Sequence, residues 1–296
     1  MRAISIFALA AAFAFSVVPQ QAAAASQLRI VSTTTDIKAL VTAVAGDKVE
    51  IDSLATPSQD PHGIELKPTQ IARLRAASLV IRIGLDHEPW LARALTKAPM
   101  LNLSKNVRLL QTETPRLRTE RQSHVHAFGN PHYWLDPENA KIMAIEITYA
   151  LSKLSPGDKA YFERNRDAFV KQVDERMVGW KKALSPYAGT RIVVVHDTWT
   201  YFADRFNLAI VAAAEPNPGV PPSPAELAKL YSRMQESKVR LVVADPSSSE
   251  ALVHQVAEKG NARVVSLVPS VGAEPTARDY ISLIDLNVER LLKALQ

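Results

Sequence analysis

The sequence contains no cysteine among its 296 residues. This absence excludes disulfides, thiolate metal ligands and thiol nucleophiles, so an exported form of the chain depends on its core alone for stability. It also excludes a lipid anchor on an N-terminal cysteine. We therefore expect the protein to be free in its compartment, which favours a periplasm.

Blocks of like charge are also missing, and aromatic residues make up only 6% of the chain. The formal net charge is +5, but charges of both signs are interspersed and no basic stripe is interleaved with aromatic side chains. This pattern is typical of a mixed solvated surface. It gives no support to nucleic-acid binding.

Long apolar runs are absent except at the N-terminus, where Ala3 to Val18 follows a short basic region, Met1-Arg2. The alanine run Ala22 to Ala25 then provides a small-residue cleavage pattern. We interpret residues 1–25 as a secretory signal peptide that is removed after Ala25. The apolar run is shorter than the roughly 20 residues that span a bilayer. The mature chain is therefore expected to be soluble.

Candidate strands alternate with candidate helices in both halves of the mature chain, which predicts an α/β fold with mostly parallel sheets. The candidate strands cover residues 28–32, 49–54, 79–83, 191–195, 239–244 and 263–267. Between the halves, residues 156–184 carry one apolar stripe at helical spacing and would span about 40 Å as a helix. We predict an N-terminal lobe (26–154), a long rigid linking helix (155–186) and a C-terminal lobe (187–296).

Histidine gives the sharpest functional signal among the side chains. Of seven histidines, His62 lies in a loop after a strand, His132 stands just before a helix start, and His196 directly follows a strand. Ligands bind beyond the carboxyl ends of strands in open parallel sheets. Three neutral imidazoles from two lobes would suit zinc. The residues alone leave open whether the three meet in space or are separate surface or half-buried histidines.

Four segments carry a specific resemblance: Asp60-Pro-His-Gly-Ile-Glu-Leu-Lys-Pro, Asn130-Pro-His-Tyr-Trp-Leu-Asp-Pro, Val195-His-Asp-Thr-Trp-Thr-Tyr-Phe-Ala and Pro222-Ser-Pro-Ala-Glu-Leu. In order and spacing, over essentially the whole mature chain, they resemble the solute-binding proteins of zinc and manganese ABC importers. The resemblance implies two α/β lobes linked by one long helix, with a buried metal between them. It also implies that His62, His132 and His196 are the ligands. It further implies delivery to a membrane permease; we add a metallochaperone as another candidate partner and expect a monomer.

Two departures from the family pattern bear on the metal. Manganese-type members have a carboxylate where His196 stands, and the softer imidazole favours Zn²⁺ over Mn²⁺. Many members also supply an aspartate from a loop before the last helix, where this chain has Pro269. The fourth ligand is therefore left open among water, Asp60 and Asp279.

The remaining histidines and nearby carboxylates receive weaker interpretations. His124 and His126 lie in a polar loop that either gathers metal or is simply exposed, and we interpret His87 and His254 as structural. Carboxylates often orient metal-binding imidazoles through the second ring nitrogen. The candidates for this role are Asp136, Asp197 and Glu215. Asp136 is equally suited to capping a helix.

The function that the sequence favours is that of a periplasmic zinc carrier, which is not an enzyme, and several other functions compete with it. A secreted zinc hydrolase would use three histidines and a water, but the sequence has neither His-Glu-x-x-His nor Gly-x-Ser-x-Gly. A binding protein for a metal chelate such as haem or a siderophore could line its cleft with Tyr133, Trp134 and Trp199. A third alternative is an adhesin or a metal buffer that works without a transporter. The sequence leaves it open, because surfaces that contact a permease have no recognisable motif.

Overall fold

In a computed structural model of the chain, the described residues are 27–59, 61–94, 96–111, 129–215 and 220–296. The predicted signal peptide, Asp60, His124 and His126 lie outside these residues. No helix in the described ranges combines the length and the apolarity that a membrane crossing requires.

The N-terminal half forms a parallel sheet with helices around it. Its four described strands lie side by side in the order β2-β1-β3-β4, and every neighbouring pair is parallel. Along the chain the elements are β1 (Leu28–Ser32), α1 (Thr35–Ala45), β2 (Val49–Ser53), α2 (Pro68–Ala76), β3 (Leu79–Arg82), β4 (Met100–Asn102) and α3 (Pro137–Leu154).

The C-terminal half repeats this architecture. Its described strands lie in the order β6-β5-β7-β8, again with parallel pairing throughout. The elements are β5 (Arg191–Val194), α5 (Thr200–Arg205), β6 (Ala209–Ala213), α6 (Pro224–Glu236), β7 (Leu241–Ala244), α7 (Glu250–Gly260), β8 (Arg263–Ser266) and α8 (Tyr280–Leu295). Two parallel sheets confirm the predicted α/β fold class.

One long helix, α4 (Lys159–Leu184), lies between the two sheets in sequence. It starts three residues later than predicted because Pro156–Asp158 forms a 3-10 turn. Its 26 residues span about 39 Å at 1.5 Å per residue. The whole predicted apolar stripe is buried, namely Phe162, Phe169, Val173, Met177, Trp180 and Leu184. The helix packs against α1 and α3 of the N-terminal half and against α8 of the C-terminal half.

Hydrogen bonds also cross directly between the two halves. The indole Nε1–H of Trp134 donates to the carbonyl oxygen of Pro269 at 3.0 Å, and the Tyr280 hydroxyl donates to the carbonyl oxygen of Trp134 at 2.6 Å. The backbone N–H of Val271 donates to the buried carboxylate of Asp36 at 2.9 Å. A single apolar cluster contains residues of both sheets and of α4. The two halves are therefore packed against each other as well as linked by α4.

Candidate metal centre

Strand ends bring two of the predicted histidines to the region between the lobes. His62 lies in a 3-10 turn, Pro61–Gly63, in the loop that follows β2. His196 stands immediately before the 3-10 turn Asp197–Trp199, two residues after the end of β5. Both positions lie beyond the carboxyl ends of parallel strands, as expected for a ligand site in an open α/β sheet.

His132 reaches the same region from the segment that precedes α3. It is 4% exposed, and its backbone N–H donates to Oδ1 of Asn130 at 2.9 Å. The Nδ1 atom of its ring lies 3.0 Å from the same oxygen. Because a carbonyl oxygen can only accept, Nδ1 carries the proton and Nε2 keeps the lone pair that a metal ion needs.

The three predicted ligands converge. His62, His132 and His196 each offer one ring nitrogen, and these three atoms all lie within 4.8 Å of one another. Ring centroids are 5.7 Å apart for His62 and His132, and 5.6 Å apart for His132 and His196. Nitrogens that share one tetrahedral Zn²⁺ would be about 3.3 Å apart, given Zn–N distances of about 2.0–2.1 Å. Small side-chain movements would therefore suffice to close the trio around an ion.

These histidines lie in the wall of a cavity of about 670 Å³. Trp134 and Pro269 form part of the same wall, and Glu215 and Asp245 also face the cavity. The cavity is large enough for a hydrated ion to approach the three imidazoles.

Asp245 is a buried acid in this wall. Its carboxylate accepts the indole N–H of Trp199 at 2.6 Å and the hydroxyl of Thr198 at 3.3 Å. Burial raises the pKa of Asp245 to about 7, and the nearby charge of Glu215 acts in the same direction. Asp245 therefore anchors the segment that directly follows His196.

The aromatic residues considered for chelate binding serve mainly in packing. Trp134 does line the cavity. Tyr133 is buried and donates its hydroxyl to the carbonyl oxygen of Ile83 at 2.7 Å, and Trp199 is buried against Asp245.

The structure describes one of the two carboxylates that we considered as the fourth ligand. Asp279 is exposed and caps α8 by accepting the backbone N–H of Ser282 at 2.8 Å, and Asp60 lies outside the described residues. Pro269, where many family members supply an aspartate, contributes its carbonyl oxygen to Trp134.

The proposed orienting carboxylates also have other contacts. Asp136 caps α3 and accepts two hydrogen bonds from the Arg205 guanidinium at 2.6 and 2.7 Å. Asp197 accepts the Thr200 hydroxyl at 2.6 Å. For His132 the oxygen at Nδ1 comes from Asn130, which sequence reasoning missed. The signal was present, because Asn130 stands two residues before His132 in the quoted motif.

Two histidines that we interpreted as structural have contrasting surroundings. His254 lies on α7 with a 70% exposed side chain, 3.6 Å from Glu250. His87 is fully buried, and its ring contacts the rings of His62 at 4.6 Å and His132 at 5.8 Å between centroids. Its position after the carboxyl end of β3 follows the same rule that selected His62 and His196. That signal could have placed His87 beside the trio.

Known zinc-uptake proteins are similar to this chain in sequence. A family model described as ZnuA, zinc-uptake complex component A, periplasmic, matches residues 30–294. The chain is 28% identical over 254 residues to the high-affinity zinc uptake system protein ZnuA of Yersinia pestis, a match that covers 78% of this chain and 79% of that protein.

Two further comparisons extend the similarity. The zinc-binding lipoprotein AdcA of Streptococcus pneumoniae is 25% identical over 283 residues, covering 92% of this chain and 56% of AdcA, so the chain spans about half the length of that relative. A crystal structure of ZnuA has a TM-score of 0.77 at 25% identity and covers 92% of this chain and 100% of that one.

Proposed function

Since the chain belongs to the ZnuA family of periplasmic zinc-uptake components, we propose that it captures Zn²⁺ with His62, His132 and His196 and delivers the ion to an ABC importer. The convergence of three ring nitrogens within 4.8 Å carries the assignment of these ligands. Two of them follow strand ends in different lobes, and the third is oriented by Asn130.

The donor set supports zinc as the cargo. Imidazole nitrogen suits Zn²⁺, whereas Mn²⁺ prefers carboxylate, carbonyl and water oxygens. All three converging groups are imidazoles, and the described residues bring no carboxylate into this cluster. Zn²⁺ is therefore preferred over Mn²⁺.

The chain acts as a binding protein in the periplasm rather than as an enzyme. It is exported through the signal peptide of residues 1–25 and works as a monomer. Its partners are a membrane permease and, as a further candidate, a metallochaperone. Its units are a lobe of residues 26–154, a linking helix of residues 155–186 and a lobe of residues 187–296. The family and the relatives do not favour the hydrolase or the chelate-binding alternatives.

The test is calorimetric titration of the chelator-stripped mature protein with Zn²⁺ and, separately, with Mn²⁺. We expect one tight zinc equivalent and weaker manganese binding. The triple variant His62→Ala, His132→Ala, His196→Ala should lose the tight site, whereas His254→Ala, at an exposed histidine of α7, should keep it. No tight site, or a tight site that survives the triple substitution, would contradict the proposal.

A further inference from the structure

We propose that His87 is a fourth ligand of the same ion, so that the site consists of four neutral imidazoles. The inference rests on the proposed function, because it names an additional residue of that site. It concerns a histidine that the sequence pattern alone marks as structural.

The surroundings of His87 lack the hydrogen bonds that normally accompany a buried imidazole. The residue is 0% exposed, and among the described residues neither ring nitrogen has a partner within hydrogen-bond distance. Its ring instead contacts His62, His132 and Trp134, with centroids 4.6, 5.8 and 5.4 Å away. Burying a polar group without a hydrogen bond is unfavourable, because the group loses its bonds to water without replacement. Binding of a metal ion by a ring nitrogen would offset this cost.

The spacing of the rings fits four imidazoles around one ion. For Zn–N distances of about 2.0–2.1 Å and tetrahedral angles, neighbouring ring centroids would be roughly 5 Å apart. The centroid distances that link His87, His62, His132 and His196 run from 4.6 to 5.8 Å. His87 is therefore in ring contact with His62 and His132. The ring nitrogens that already lie within 4.8 Å of one another belong to His62, His132 and His196, so the ring of His87 would turn toward the ion on binding.

Glu88 is placed to orient the ring of His87. The Glu88 carboxylate accepts hydrogen bonds from the Thr33 hydroxyl at 2.6 Å and from the backbone N–H groups of Ile83 and Gly84 at 2.7 and 3.0 Å.

The Nδ1 atom of His87 lies 3.8 Å from this carboxylate. That distance is longer than a hydrogen bond, and a small turn of the ring would let Nδ1–H donate to Glu88 and leave the lone pair on Nε2 for the ion. A carboxylate behind a histidine is the usual support of a zinc ligand.

A fourth imidazole would also complete the site without a carboxylate. Pro269 has no donor atom in its side chain, and its carbonyl oxygen accepts the indole N–H of Trp134. Asp279, the other described candidate, caps α8. Four nitrogen donors and no oxygen donor would strengthen the preference for Zn²⁺ over Mn²⁺.

The deciding experiment counts imidazoles on the metal directly. Mature protein labelled with ¹⁵N-histidine is loaded with one equivalent of ¹¹³Cd²⁺ as the probe ion. Each ring nitrogen that binds the ion then shows coupling to ¹¹³Cd in the NMR spectrum. We expect four coupled rings, with one assigned to His87 through its own backbone resonances. The count uses the unsubstituted protein and does not depend on whether a variant folds.

The outcomes separate this inference from the proposed function. Three coupled rings belonging to His62, His132 and His196 would overturn the fourth ligand and leave the carrier site intact. A fourth coupled ring assigned to any histidine other than His87 would overturn it as well. No coupled ring at all would contradict both proposals.

A matched pair of variants provides a second measurement. His87→Gln should lower Zn²⁺ affinity by more than about 100-fold, beyond the 10–100-fold that loss of an orienting group behind a ligand typically costs. His254→Gln should leave the affinity unchanged. If His87→Gln folds, as judged by its thermal melt without metal, and loses less than about 100-fold in affinity, His87 is not a ligand.

Discussion

At the residue scale, Asn130 determines which nitrogen of His132 is available to a metal ion. Its side-chain oxygen contacts both the backbone nitrogen and Nδ1 of His132. We predict that Asn130→Ala lowers Zn²⁺ affinity about 10–100-fold, because the ring loses the group that fixes its tautomer and orientation. Calorimetric titration measures this loss. Asn106→Ala, at an exposed asparagine bonded to Glu146, should bind zinc as the unsubstituted protein does. Equal affinities in the two variants would refute the orienting role.

Asp36 is the second residue whose environment makes a measurable prediction. Burial raises its pKa to about 7, and hydrogen bonds from Val271 and Ser270 lower it only in part. One carboxylate oxygen accepts the Val271 N–H at 2.9 Å. The folded state therefore keeps the proton at pH values where the unfolded chain has released it.

Stability linked to Asp36 thus falls as pH rises from about 4 to about 7. Asp36→Asn resembles the protonated acid and should remove this dependence. Relative to the unsubstituted protein, we expect its unfolding free energy to rise by on the order of 2 kcal/mol between pH 5 and pH 7. Urea unfolding of the metal-free proteins at both pH values measures the difference. If the two proteins differ in unfolding free energy by the same amount at both pH values, the pKa of Asp36 is not raised in the folded protein.

Sequence reasoning reached the histidine trio because strand ends and repeated Pro-His contexts are local signals. It did not reach the cluster around His87, because the contact of that ring with His132 depends on how the loop after β3 meets the segment before α3. The same reason applies to Asp136, whose pairing with Arg205 spans 69 residues of sequence.

At the element scale, the strongest periodic segments were predicted well, whereas two of the four edge strands were not. The six apolar positions of α4 are all buried. Helices α3 and α6 begin where the sequence predicts, with Asp136 and Ser223 as their N-caps. The strands missed were β4 and β6, each at an edge of its sheet. β4 has three residues, and β6 lies mostly at intermediate exposure, so neither shows a buried apolar run.

The buried stripe of α4 makes a prediction with an internal control. Val173 is 0% exposed, whereas Val178 on the same helix is 71% exposed. Val173→Ala should lower the unfolding free energy by about 2 kcal/mol, from lost burial of two carbon atoms and the cavity that remains. Val178→Ala should change it by less than about 0.5 kcal/mol. Urea unfolding midpoints compare the two variants. Similar losses of unfolding free energy would mean that the buried face of α4 contributes no more to stability than its exposed face.

At the scale of the whole molecule, the arrangement of the two lobes could not be derived from local pattern. The hydrogen bonds from Trp134 to Pro269 and from Val271 to Asp36 join residues 135 and 235 positions apart. The long helix signal predicted a link between lobes, but not that one apolar cluster would run through both. Side-chain packing between the two lobes determines which of their surfaces meet.

These contacts predict that loading with zinc changes the shape of the molecule little. Closure about a hinge would separate α4 from α1, α3 or α8, or break the bonds that Pro269 and Val271 make to the other lobe. Breaking buried contacts of this kind costs more than a few small side-chain movements toward an ion. Solution scattering of the metal-free and Zn²⁺-loaded protein should therefore give the same radius of gyration within error. A clear compaction on loading would show that the lobes rotate despite α4, and the rigid link would be wrong.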